Sequence, residues 1–313
     1  MQNNKYLEPL VSVIIPNYCH SLYLDERIQS VLNQTYQNYE VLILDDCSPD
    51  GGASKTIIER YRSNPHVSQI IYNEKNSGSP FKQWRKGIEL AKGLYVWIAE
   101  SDDCCENTFL EKVLKMCVEN SAVMGFCTSS IIDETRDQLF NNPSKQMKLD
   151  TDYVFEGNCF IRSHLLFRNE IRNISSVVFK KSIALSIDRQ YEEMKALGDR
   201  LFCIEMAEMG RVCFLNTPLN YFRRNDMCVT LMNINNGNSY TENLKIINYL
   251  YSNQHISLFE KVKMKMFFIY QFSNKEFKNT KEKSNLLRLY DRYWFYRFLY
   301  PAYLLNRYMK FNP

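Results

Sequence analysis

The sequence predicts an α/β fold: a mostly parallel sheet flanked by helices, followed by a helical C-terminal extension. Three observations carry this. Short apolar runs alternate with helix-spaced apolar stripes over roughly the first 120 residues, the pattern of a parallel sheet with crossover helices. The run Tyr95–Ala99 ends abruptly in three acids, Glu100, Asp102 and Asp103, as expected where a parallel sheet presents ligands at the carboxyl ends of its strands. From Tyr240 onward the chain reads as helix throughout, rich in Tyr, Phe, Lys and Arg.

Each element has its own signal. Val11–Ile15 is a short apolar strand stopped by Pro16, and Leu24, Ile28, Val31 and Leu32 then recur at helical spacing. Tyr39–Asp45 is the second strand, and a helix follows Gly51 with Ile57, Ile58 and Tyr61 on one side. Val67–Tyr72 is the third strand. Trp84, Gly87, Ile88 and Ala91 mark a helix, and 95–99 is the fourth strand, with a helix over Asn107–Glu119. Between 121 and 230 the pattern is less regular, with strands near Met124–Ser129 and Val212–Asn216 and helices near 156–167 and 197–209. The polar, Gly-containing stretch 235–239 divides the chain into a domain over 1–236 and a helical extension over 237–313.

The chain has 313 residues, 45% of them hydrophobic, enough to bury a full core, and its net charge of +4 is too small to suggest nucleic acid. None of its ten cysteines forms a CxxC pair, so they read as small core residues of a reduced, cytoplasmic protein and not as zinc ligands. The N-terminal residues lack the pattern of a signal peptide. No apolar run reaches the length of about 18 residues expected of a membrane span.

Polar residues follow three strands in order: Pro16-Asn17-Tyr18, then Asp45-Asp46-Cys47-Ser48-Pro49-Asp50, then Glu100-Ser101-Asp102-Asp103. Clustered carboxylates repel one another unless a cation sits among them, and a divalent metal shared with a diphosphate supplies one. The alternative for the last cluster is an acidic helix N-terminus. Ser48 or Asp50 can equally cap a helix, and Tyr18 can be ordinary core.

Taken together, Val11-Ser-Val-Ile-Ile-Pro-Asn-Tyr18, Asn33-Gln-Thr-Tyr36, Leu44-Asp-Asp-Cys-Ser-Pro-Asp50 and Glu100-Ser-Asp-Asp103 resemble the inverting family 2 glycosyltransferases, which have the nucleotide-binding GT-A fold. The resemblance covers roughly residues 10–230. It departs from the family pattern at Cys47, usually Gly, at Glu100 as the first acid of the DXD-type motif, at Gln83-Trp-Arg85, and at Asn225, often His.

The resemblance implies a nucleotide-sugar donor, UDP-sugar first, bound by Pro16, Tyr18, Asp45, Asp46, Gly78, Lys82, Arg85, Glu100, Ser101, Asp102, Arg223 and Arg224, with Tyr18 on the base and Asp45 hydrogen-bonded to it. An exposed basic helix face is the alternative for Lys82 and Arg85. Asp102 and Asp103 would hold Mn2+ or Mg2+, Asn173 would line the acceptor pocket, and Asp199, before a helical stripe, would be the catalytic base. The implied acceptor is a saccharide or lipid-linked saccharide of a bacterial surface polysaccharide. Two other classes stay open: a sugar nucleotidyltransferase, for which no glycine- and lysine-rich phosphate loop follows Ile15, and a non-catalytic binding protein on the same fold. The aromatic and arginine residues of Asn285–Phe311 suit either a peripheral contact with the inner face of the membrane or a packing surface.

Overall fold

The computed structural model describes residues 8–133, 139–140, 147, 149–224, 238–274 and 280–290. Strand β1 (Val11–Asn17) is buried at every position, so it must lie inside the sheet, and it does, pairing in parallel with β2 (Tyr39–Asp45) and with β4 (Tyr95–Ile98). β3 (Val67–Tyr72) extends the parallel ladder beyond β2. Helices α1 (Ser21–Leu32), α2 (Ala53–Glu59) and α3 (Pro80–Leu90) make the crossovers. Leu24, Ile28 and Val31 of α1 join Val11, Val13 and Ile15 in one hydrophobic core, which is what their helical spacing requires. The parallel register brings the carboxyl ends of β1 and β2 level, with Asn17 opposite Asp45.

The expected strand at 11–15 runs on to Asn17, and Pro16 does not stop it. Ile14 O accepts from Ala99 N at 2.8 Å, so Ile14, and Pro16 two residues on, face β4. β4 ends at Ile98, opposite Ile14. The N–H that proline lacks therefore falls where no ladder partner remains, and β2 pairing continues undisturbed.

Beyond β4 the sheet becomes mixed. After the two-residue β5 (Cys104–Cys105) and helix α4 (Phe109–Glu119) comes β6 (Met124–Ile132), which runs parallel to the last long strand, and the sheet holds ten strands among the described residues. Two short pieces, β7 (Leu139–Phe140) on β6 and β8 (Tyr153–Phe155) on that last strand, are antiparallel additions. Helix α5 (Gly157–Phe160) continues into a wide turn over Ile161–Leu165, shorter than the helix expected near 156–167. β9 (Val177–Lys180), absent from the sequence-based expectation, lies antiparallel between β4 and β6 and joins the two parallel halves. Helices α6 (Lys181–Ser186) and α7 (Gly198–Glu208) lead to the last long strand, β10 (Val212–Arg223), whose register against β6 shifts between Leu215 and Pro218 and again between Pro218 and Asn220.

Two glycines set helix positions. A Cβ on Gly87 of α3 would lie 2.5 Å from a side-chain carbon of Ile14, so only glycine lets α3 sit this close to β1. A Cβ on Gly198 would meet the Phe81 ring at 2.6 Å and Tyr191 O at 2.7 Å, which fixes the first turn of α7 against α3.

The chain forms two compact units. One comprises 1–160, 169–193 and 198–225; the other comprises 161–168, 194–197 and 226–313. The second contains three helices among its described residues: α8 (Asn238–Ser252), α9 (Leu258–Ser273) and α10 (Thr280–Tyr290). Phe272 sits edge-on to both Tyr240 and Tyr290, and Tyr290 Oη donates to Tyr240 O at 2.6 Å. The buried carboxylate of Glu242 accepts from the backbone N–H groups of Lys195, Ala196 and Leu197 at 2.6–2.9 Å. Ser257 and Glu260 close a reciprocal capping box at the start of α9. Most of the linker expected at 235–239, Asn225, and residues 291–311 of the aromatic tail lie outside the described residues. Among the described residues no helix is long and apolar enough to cross a membrane.

Glu205 of α7 is 2% exposed and neither of its carboxylate oxygens has a hydrogen-bond partner. Burial, with Asp188 and Glu208 adding negative charge, pushes its pKa up to about 8. The folded state then holds a proton that the unfolded chain has lost over the window from about pH 4.5 to 8, so stability falls as pH rises through that window. Melting temperatures between pH 5 and 8.5 should decline in the wild type. Glu205→Gln should flatten the profile and be the more stable protein at pH 8.5; an unchanged slope would show that Glu205 does not titrate there.

Candidate active site

The carboxyl ends of β1 and β2 are tied by side chains. Asn17 Nδ2 donates to Asp45 Oδ1 at 2.6 Å, and Ser48 donates to Asp45 through both Oγ (2.7 Å) and N (3.1 Å). Cys19 takes a left-handed φ of 59°, and its N–H donates to Ser48 Oγ at 2.9 Å. The chain turns here and leaves Tyr18 45% exposed, so Tyr18 is not core. Asp46 is used differently. Its carboxylate accepts from Asn73 Nδ2, Ser77 N, Ser77 Oγ and Gln83 Nε2, all within 2.6–3.1 Å. Asp46 thereby pins the loop after β3 and the first turn of α3. Gly78 in that loop has φ 74°, which favours glycine. Asp50 caps the next helix, accepting from Ser54 N and Oγ.

The acidic cluster after β4 rests on a buried cation. Arg27 of α1 is fully buried, donates through Nε to Glu100 O at 2.8 Å, lies 3.9 Å from Asp103 Oδ2 and stands over the Trp97 ring. The three acids differ in their commitments. Glu100 Oε1 accepts from Trp84 Nε1 at 2.6 Å, and burial, then the charge of Asp102, raises its pKa to about 8. Asp103 is 2% exposed; it accepts from Asn173 Nδ2 at 2.5 Å and from Arg223 N at 3.0 Å, and burial raises its pKa as well. The half-buried Asp102 is the one whose carboxylate accepts no hydrogen bond from the described residues. Ser101 Oγ bonds His20 Nδ1 at 2.9 Å and so faces the start of α1.

Among the described residues no three His, Cys, Asp or Glu side chains converge to form a closed metal site. The donor set fits a weaker arrangement, in which a hard cation takes one carboxylate from the protein and completes its shell with phosphate oxygens and water. Asp102 is the free oxygen donor for it.

Three further expected residues are placed as follows. Asp199, in the first turn of α7, accepts from Asn169 Nδ2 at 3.0 Å, and burial raises its pKa. Lys82 is exposed and donates to Ser77 O at 3.3 Å. Arg85 pairs with Glu89 at 2.7 Å and donates to Ala184 O. Of the two arginines ending β10, Arg223 is buried and spends its guanidinium on Asp102 O, Asp133 O and Glu26 Oε2 while stacking over Tyr23. Arg224 is exposed.

The sequence-based expectation omits Arg27, Asn17 and Asn169. Arg27 was legible: it sits three residues after Leu24 and one before Ile28, on the apolar stripe of α1, where a cation needs a buried partner. Asn17 stands in the polar strand end Pro16-Asn17-Tyr18 with no role of its own assigned there, and Asn169 carries no signal beyond its polarity.

The sequence model described as Glycosyl transferase family 2 matches residues 12–175. The Bacillus subtilis protein TuaG, named for teichuronic acid biosynthesis, is 36% identical over 125 residues, 40% of this chain and 48% of TuaG. The poly(ribitol-phosphate) beta-N-acetylglucosaminyltransferase TarP of Staphylococcus aureus is 28% identical over 220 residues, 68% of this chain and 62% of TarP. The chain thus spans about half of TuaG and under two thirds of TarP. Among solved structures, S. aureus TarS superposes with a TM-score of 0.66 at 18% identity, over 90% of this chain and 48% of TarS. The mannosyltransferase PcManGT of Pyrobaculum calidifontis, in complex with GDP-Man and Mn2+, gives 0.55 at 15% identity, over 96% and 86%. These likenesses establish the fold.

Removing Arg27 leaves buried carboxylates without their cation. Arg27→Met, close in volume, should cost about 3–5 kcal/mol, the range for breaking a buried pair at one partner. Urea unfolding measures this. A change below about 1 kcal/mol would mean that the cluster holds its protons and needs no counter-charge.

Proposed function

The chain belongs to glycosyl transferase family 2, and on that premise we propose that it moves a sugar from a nucleotide-diphosphate donor, a UDP-sugar, to a hydroxyl of a saccharide or lipid-linked saccharide acceptor, with inversion, in surface polysaccharide synthesis. One observation carries this. Parallel pairing sets an exposed ring, Tyr18, and a positioned carboxylate, Asp45, at the same sheet edge as the uncommitted carboxylate of Asp102. A base, a ribose and a diphosphate need that succession of partners. In support of the donor class, TarS has been solved with UDP and with UDP-GlcNAc, and PcManGT with GDP-Man and Mn2+. TuaG and TarP carry names from wall-polymer synthesis, which supports the acceptor class.

In this mechanism the Tyr18 face stacks on the base and Asp45, held by Asn17 and Ser48, accepts from a ring N–H. Asp102 would hold Mn2+ or Mg2+, with Asp103 fixed beneath it; bound there, the cation would neutralise charge on the diphosphate. Asp199 takes the proton of the acceptor hydroxyl as its oxygen bonds to the anomeric carbon and the bond to the diphosphate breaks. The raised pKa of Asp199 makes it a stronger base than an ordinary carboxylate, and Asn169 holds its orientation. Arg224 faces the departing diphosphate. Arg223 and Asp46 act at one remove, by fixing the strand end and the loop that carry the contact residues.

Asp102→Asn should abolish Mn2+-dependent tightening of UDP binding and leave the melting temperature nearly unchanged. Calorimetry returning wild-type affinity for UDP with Mn2+ would remove Asp102 from the metal site.

Asp199→Asn should bind UDP normally and lose at least about 100-fold in sugar transfer, the usual range for loss of a general base. Turnover within a few-fold of wild type would move the base elsewhere.

A further inference from the structure

Asn173 is preceded by an arginine, and Arg223 is followed by one. Asn173 Nδ2 and Arg223 N both donate to the Asp103 carboxylate, at 2.5 and 3.0 Å, and Asn220 Nδ2 bonds Asn173 Oδ1 at 2.9 Å. The chain segments that carry Arg172 and Arg224 are thus pinned on a single carboxylate. The two arginines are close enough that the charge of Arg224, after burial, pulls Arg172 below the usual arginine range. Arg172 Nε is buried with no hydrogen-bond partner. No described carboxylate pairs with either guanidinium. Of the other two arginines at the cluster, Arg223 is engaged with two carbonyls and Glu26, while Arg27, fully buried, bonds Glu100 O through Nε, leaves both terminal nitrogens unbonded among the described residues and has Asp103 as its counter-charge at 3.9 Å.

Two like charges held together, one with a dry and unbonded donor, are unfavourable by themselves. An anion relieves both costs. Planar guanidinium forks match phosphate oxygens in pairs. The position also fits: Asn169 holds Asp199 and Asn173 holds Asp103, so Arg172 lies on the chain segment that joins the proposed base to the acidic cluster. We propose that Arg172 and Arg224 form a two-guanidinium clamp for a phosphoryl group presented beside Asp102. The clamp rests on the donor assignment made above. Its ligand chemistry is a phosphate carrying paired anionic oxygens, borne either by the donor diphosphate or by the acceptor.

Calorimetry on the full chain with Mn2+ tests this with Arg172→Gln and Arg172→Lys, using UDP, uridine and, on UDP-saturated protein, glycerol phosphate. Arg172→Gln should weaken UDP by about tenfold or more, as for loss of a charge-assisted hydrogen bond, and leave uridine within about twofold, with Arg172→Lys in between. Unchanged UDP affinity with glycerol phosphate weakened to the same degree would place the phosphoryl group on the acceptor. The clamp is overturned if both variants bind UDP and glycerol phosphate like the wild type. It is also overturned if uridine and UDP weaken equally, since Arg172 would then be structural. A wild type that binds no UDP would instead sink the donor assignment. The clamp would then stand or fall on inorganic pyrophosphate, which the wild type must bind about tenfold more tightly than Arg172→Gln.

Discussion

A guanidinium sealed from solvent next to a cluster of acids is the constraint on which the carboxyl edge of the sheet depends. Arg27 has no water to solvate it, so its charge must be met by the protein, and what meets it is the carbonyl of Glu100, the carboxylate of Asp103 and the face of Trp97. The charge of Arg27 partly offsets the burial that raises the pKa of Glu100 and Asp103. Because Arg27 belongs to α1 and the acids follow β4, the pairing locks the first crossover helix to the end of a strand some seventy residues later in the chain. Asp103 then reaches outward, drawing Asn173 and the backbone of Arg223 onto the same point. Four distant stretches of sequence meet at this one buried carboxylate.

Within that frame, neighbouring residues of the same type do opposite jobs. Asp45 and Asp46 are adjacent and both buried, yet Asp46 holds the loop after β3 and helix α3 while Asp45 ties the ends of β1 and β2 through Asn17 and Ser48. Asp102 and Asp103 divide further, one open and one buried. So do Arg223, buried among carbonyls and a glutamate, and Arg224, exposed. In a strand this alternation follows from geometry, since successive side chains face opposite ways. In Asp102 and Asp103 it follows from hydrogen bonding, because Asp103 accepts from Asn173 and Arg223 N and leaves the Asp102 carboxylate unbonded among the described residues. The acids and arginines that make a site look rich in chemistry are in good part the scaffold for the few that are free.

The parallel half of the sheet was legible in the sequence because its strands are apolar runs of four to seven residues, fully buried in β1, β2 and β4, separated by periodic helices. β2 and β3 fall where their apolar runs put them, at Tyr39–Asp45 and Val67–Tyr72. The antiparallel additions were not legible. β5 and β7 have two residues each, too few for any period to register, and β9 is four residues following a polar stretch. Pro16 misled because its cost depends on which side of a strand has lost its partner, a fact about β4 and not about β1. At the site, residue type located the acidic cluster but could not say which acid is free, since that turns on Trp84, Asn173 and Arg223, far away in the chain.

The double register shift in β10 has a consequence for how this protein can change. Before the shifts the strand carries core residues such as Phe214; after them it carries Asn220 and Arg223, with Arg224 next in the chain. Side-chain direction along a strand has a period of two, so losing or gaining one residue here exchanges the inward and outward faces of everything downstream. A deletion would turn Arg223 out of its nest of carbonyls and send Arg224 inward without altering either amino acid. Substitutions along β10 can therefore be sampled one at a time, whereas its length is fixed in phase with the chemistry at its end. Drift in this lineage is expected to reach the composition of the strand long before it reaches the count of its residues.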